Sequence, residues 1–148
     1  MAMIAQTIQL ALAPVFVLVA IANIMNLLST RLARLVDRSR HLQQLHKRTE
    51  GADHDAVVRE IRIVNDRIDL VGRAILMLVL GGLCIGLTVV VLFLEEFLGI
   101  DVQAIAAGFF IAAIGCLMWG LLLFLKETRA AAASLRIPEM FLEKDRKL

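Results

Sequence analysis

Three groups of side chains in this chain have types and spacings that could do chemistry. The first is Asp53, His54 and Asp55, which supplies ligand types for a divalent cation. Neighbouring side chains diverge and cannot all reach one centre, and no further Cys or His is expected nearby, so the triplet reads as helix capping by Asp53 with Asp55 in the first turn. His41 and His46 read as surface or seam residues. The second group is Cys84 and Cys116. Both fall in long apolar runs where no disulfide framework is expected, and they read as small packing residues. The third is a stripe of Gln9, Leu12, Phe16, Val19, Asn23, Asn26 and Thr30, spaced by three and four so that all share one helix face. Its polar members, Gln9, Asn23, Asn26 and Thr30, can bond a neighbouring helix or line a path for water and ions.

No catalytic pattern accompanies these groups. The chain has no Gly-rich phosphate loop, HExxH, CxxC or Gly-x-Ser-x-Gly, and no carboxylate pair at membrane depth. A non-enzymatic protein with no metal or cofactor is the expectation.

The elements that must position these residues follow from composition. Of 148 residues, 59% are hydrophobic and 20% charged, with a mean hydropathy of +0.79. Soluble domains run at roughly 45–50% and 25%. A single core cannot bury this excess, so it must face lipid. Residues 10–30, 74–94 and 104–125 contain no charge, and each is about the 20 residues that a helix needs to cross a hydrocarbon core. Backbone groups in lipid must be satisfied within their own segment, so the spans are helices. Pro14 is expected near the start of the first span, where a missing amide costs little. A cleaved signal peptide is the alternative for that span. Residues 1–9 have no basic residue, and the triplet from Ala11 to Ala13 is followed by proline after too short an apolar run, which favours a span.

The charges are strongly partitioned. Ten of the 16 Lys and Arg residues lie between Arg31 and Arg73 and the other six from Lys126 onward. Glu95, Glu96 and Asp101 are the only charges between the second and third spans. The positive-inside rule therefore predicts a cytoplasmic connector, 31–73, and tail, 126–148, with the N-terminus and the 95–103 loop outside. Arg31, Arg34, Arg38, Arg73, Lys126 and Arg129 form a basic collar suited to anchoring and to anionic headgroups. A net charge of +2 gives no reason to expect nucleic acid.

The connector reads as an antiparallel helical hairpin. Leu28, Leu32, Leu35, Ser39, Leu42 and His46 alternate spacings of four and three, as do Val57, Ile61, Val64, Ile68, Val71 and Ile75. Reversed pairing sets Leu28 against Ile75, Leu35 against Ile68 and Leu42 against Ile61 in one register. The turn is expected near residues 51 and 52, with Gly51 in a left-handed conformation. The first seam continues back through Met25, Ile21, Leu18, Pro14 and Ala11, so Asn23 stands about 140° away from Leu28, on the opposite face. The predicted fold class is an all-α integral membrane protein: one domain, three transmembrane helices and a cytoplasmic coiled-coil stalk between the first two.

Small residues mark packing surfaces. Ala104, Gly108, Ala112, Cys116 and Gly120 repeat every four residues in span three, and Gly82 and Gly86 do so in span two. Such stripes let backbones approach closely in lipid, within one subunit or between subunits. No acid, His or Lys lies in any span, which argues against a proton-coupled pump.

The stretch NLLSTRLARLVDRSRHL at 26–42, preceded by Ala13 and Pro14, resembles the most recognisable stretch of the bacterial membrane family known as domain of unknown function 2721. RIVNDRIDLVGRAI at 62–75 is similar to its second patterned region, and the likeness runs from about Pro14 to Lys126. Ala33 stands where the family pattern has glycine. The resemblance implies a small inner-membrane protein with three spans and brings no activity, ligand or catalytic residue. The functional expectation is a structural or accessory subunit that self-associates or joins other membrane proteins. The alternative is a homo-oligomeric ion channel lined by the Asn23, Asn26 and Thr30 face.

Overall fold

A computed structural model describes residues 2–134. The last 14 residues of the basic tail, 135–148, lie outside the described residues. Those described form three helices: α1 (Ala2–His46), α2 (Ala52–Leu98) and α3 (Gln103–Ser134). All three are long and apolar enough to cross a membrane. In their most apolar stretches only 17%, 22% and 11% of residues are buried within the chain. Apolar surface this extensive requires a lipid or protein environment.

The 45 and 47 residues of α1 and α2 correspond to about 68 and 70 Å at 1.5 Å per residue, more than twice a hydrocarbon core. Both run unbroken from the charge-free segments into the charged connector. They lie antiparallel along their whole length. Thr7 meets Glu96 at one end, the Ile21 side chain approaches Gly81 midway, Arg38 meets Glu60 in the connector, and His46 packs on His54 at the turn.

The core is a set of heptad lines. On α1 the buried positions include Pro14, Ile21, Leu28, Leu35 and Leu42, each seven residues from the next. On α2, Val64, Val71, Leu78 and Ile85 form one line, and Ala74, Gly81 and Thr88 a second. On α3 the line is Ala106, Ala113, Gly120 and Glu127. Seven residues turn an ideal helix through 20° less than two full turns, so a left-handed supercoil keeps such a line in contact. Two lines on α2 follow from its place between α1 and α3, which barely touch each other.

Two local features differ from expectation, at the hairpin turn and at Pro14. The turn spans 47–51 and α2 begins at Ala52, so Asp53 lies inside the first turn and Gly51, at φ +66°, holds the N-cap position. The left-handed φ places glycine there, and no side chain caps the helix. Pro14 sits well inside α1 because the helix starts at Ala2. Apolar residues on either side continue the same helix, and the proline ring is buried against the bundle. Gly99 ends α2 in the left-handed conformation, its N–H donating to the Glu95 carbonyl at 2.9 Å. The Asp101 carboxylate then accepts the Gln103 N–H at 3.4 Å as α3 starts.

Candidate functional site: the outer face of α1 and a buried ion-pair node

The heptad seam fixes where every other residue of α1 points. With Leu28 and Leu35 turned into the bundle, Gln9, Asn23, Asn26 and Thr30 are all exposed on the surface of the three-helix unit. The Thr30 hydroxyl donates to its own helix, to the Asn26 carbonyl at 3.0 Å. Thr30 is thereby satisfied, but the Asn23 and Asn26 side chains are not: neither makes a hydrogen bond within the chain among the described residues. Leu12, Phe16 and Val19 on the same face are also exposed. The face is therefore an apolar surface, free of charge, interrupted by the amides of Gln9, Asn23 and Asn26. Water could satisfy those amides and lipid tails could not, at a cost of a few kcal/mol.

The small-residue stripe divides along its length. Gly120 is buried, and a Cβ there would stand 3.2 Å from the Leu78 side chain. Cys116 is half-buried, with its Cβ 3.4 Å from where a Cβ on Gly81 would lie. Ala104, Gly108 and Ala112 are exposed, and nothing lies within 4 Å of a Cβ built on Gly108. Geometry explains the division: a step of four residues turns 400°, so the stripe drifts 40° per step and leaves a contact line that advances by sevens. On α2, Gly82 faces Leu18 at 3.7 Å, whereas Gly86 is exposed. Cys84 is half-buried, and neither cysteine is bonded to another.

Sequence reasoning missed the node where the three helices are tied together. Glu127 on α3 is 1% exposed. One of its oxygens accepts from Arg31 Nη1 of α1 at 2.9 Å, and the other from Arg67 Nη2 of α2 at 2.8 Å and Nε at 3.3 Å. Arg31 also lies over the Phe124 ring, 5.0 Å from its centroid, within cation–π range. This ties α1 to α3 where the two have little other contact. The signal was present. Glu127 is the only acid in 103–134 and stands seven residues after Gly120, on the line of small residues that α2 covers.

The node also changes the collar. Arg31 is turned inward and Arg38 donates from Nε to Glu60 at 2.9 Å, leaving Arg34, Arg73, Lys126 and Arg129 exposed. Near the turn, His54 Nδ1 lies 3.2 Å from the Thr49 carbonyl and its ring packs 4.3 Å from that of His46. These contacts give His54 a role in closing the hairpin.

A family model described as protein of unknown function, DUF2721, matches residues 11–137. Neither a curated protein nor a solved structure matches the chain.

Proposed function

From a chain that belongs to DUF2721, a family whose description assigns no activity, we propose a function resting on surfaces: a non-enzymatic membrane subunit that acts by assembling with further copies of itself. Exposure of the Asn23 and Asn26 amides on the charge-free outer face of α1 carries this reading. An asparagine amide is donor and acceptor at once, so two copies of one face can satisfy each other. Interhelical bonds of this kind contribute about 0.6–2 kcal/mol each in membranes. The exposed small residues Gly108 and Ala112 offer a second close-packing surface, for another copy or for a different membrane protein.

The charge partition supports a bacterial inner-membrane orientation in which the hairpin beyond Arg31 is a cytoplasmic stalk and the Glu95 end faces outside. Arg34, Arg73, Lys126 and Arg129 then meet anionic headgroups at about 1 kcal/mol each. The second reading is an ion channel, favoured by the alignment of Asn23, Asn26 and Thr30 on one exposed face: copies converging on an axis would line a pore with it.

Oxidative crosslinking in native membranes tests the interface. In a chain with Cys84 and Cys116 replaced by Ala, Asn23→Cys should form disulfide-linked dimers, and Val90→Cys on the outward side of α2 should not. Absence of crosslinking at residue 23 would remove the α1 interface. Potassium flux in proteoliposomes that is lost with Asn23→Leu and Asn26→Leu would make the channel the better reading.

A further inference from the structure

At the end of the bundle away from the 47–51 turn, α1 and α3 diverge across α2 and leave a cleft of about 660 Å³. Ligand sites commonly measure 300–1,000 Å³. Leu10, Ala13, Ala107 and Phe110 give it apolar walls, and Glu95 and Glu96 stand at its margin with Thr7. Three features give it a negative character. No Lys, Arg or His occurs in residues 1–30 or 74–125, so no basic side chain of these segments neutralises the two carboxylates. The Thr7 hydroxyl donates to Glu96 at 3.3 Å, which holds that carboxylate over the cleft. Pro14 has no N–H to give the Leu10 carbonyl four residues earlier, and both residues line the cleft, so a backbone acceptor is released beside it.

We propose that this cleft binds a lipophilic organic cation, with its apolar body between α1 and α3 and its charged centre against Glu95 and Glu96. Charge complementarity selects this occupant. An anionic amphiphile would meet two carboxylates and a released carbonyl, and a neutral lipid tail would leave the negative charge of the carboxylates unneutralised. A hydrophilic cation would gain nothing from the apolar walls.

Tetraphenylphosphonium and tetraphenylborate, near-identical in shape and opposite in charge, provide the test. Their saturable binding is measured by equilibrium dialysis against the full chain in phosphatidylcholine nanodiscs, with protein-free nanodiscs subtracted. The phosphonium should bind at least about tenfold more tightly than the borate, the ratio expected for about 1.4 kcal/mol of electrostatic preference. The double variant Glu95→Gln, Glu96→Gln keeps the shape and an acceptor for Thr7, and should abolish that preference. Ala107→Leu should weaken phosphonium binding by filling the cleft. Ala13→Leu, on the opposite wall, replaces it if Ala107→Leu does not keep the wild-type melting temperature and native mass. Three results would overturn the proposal: no saturable binding that depends on the protein, equal affinity for the two ions, or a loss caused by the glutamine pair but by neither cleft-filling variant. The last would mark simple attraction to a negative surface.

Discussion

Glu127 lies out of reach of water between two guanidiniums that come from different helices, and its worth is best judged by removing it. Glu127→Gln leaves Arg31 and Arg67 facing each other without an anion, in a place where neither is fully solvated. Breaking a fully buried pair costs about 3–5 kcal/mol. With side-chain exposures of 35% for Arg31 and 20% for Arg67, about 2–4 kcal/mol is expected here, since water screens part of the loss. The Arg38–Glu60 pair is the internal comparison, with both partners more than 40% exposed. Glu60→Gln should cost under about 1 kcal/mol. Thermal unfolding of both variants in one detergent checks the order, and equal shifts would contradict the role given to Glu127. The node was hidden in the sequence because the basic residues read as one block with a topological task. A block of Lys and Arg does not say which member turns inward, and only packing beside the Gly120 line selects Arg31 and Arg67.

Helix pairing is the scale at which periodicity speaks most directly. The α1 seam through Ile21, Leu28, Leu35 and Leu42 and the α2 positions Val64 and Val71 are visible as heptads, because they fall in series whose alternating spacings of three and four place a side chain at the contact about once per turn. On α3 the same logic is masked, since almost every residue of its span is apolar or small. The repeat of four stands out more than the true contact line at Ala106, Ala113, Gly120 and Glu127. The two repeats share Gly120, and this allows packing within the chain to be separated from packing between chains. At Gly120 a Cβ already approaches Leu78 at 3.2 Å and the Ala74 carbonyl at 3.4 Å. Gly120→Ile should therefore destabilise the three-helix unit itself by about 1–3 kcal/mol or more. Gly108→Ile meets nothing within the chain and should leave thermal stability of the dissociated subunit near wild type while weakening assembly. Unfolding curves and native mass, read together, check this. A loss of subunit stability with Gly108→Ile would show that the α3 contact line has been misplaced, and no effect on either measurement would leave Gly108 facing lipid.

For the whole molecule, sidedness and assembly remain beyond what one chain's packing contains, because no contact inside the bundle depends on which way it is inserted. Single cysteines at His54 and Gly99, in a chain with Cys84 and Cys116 replaced by Ala, should be labelled by an impermeant thiol reagent from opposite sides, with Gly99 accessible from outside the cell. External labelling at residue 54 would reverse the orientation inferred from the ten basic residues of the connector. The proposed assembly has its sequence signs in Asn23 and Asn26 and in the small residues of span three. An amide in an apolar span signals a partner, but its identity depends on surfaces that lie on another molecule.

Native mass in lipid nanodiscs tests that central claim most directly. The wild-type chain should appear at an integral multiple of 16.4 kDa greater than one. The double variant Asn23→Leu, Asn26→Leu, more apolar and without amides to satisfy, should shift toward the single-chain mass. With two interhelical amide bonds of about 0.6–2 kcal/mol each removed per contact, dissociation should strengthen by roughly tenfold or more. A wild-type protein that runs as a single chain, with the double variant indistinguishable from it, would contradict assembly through α1.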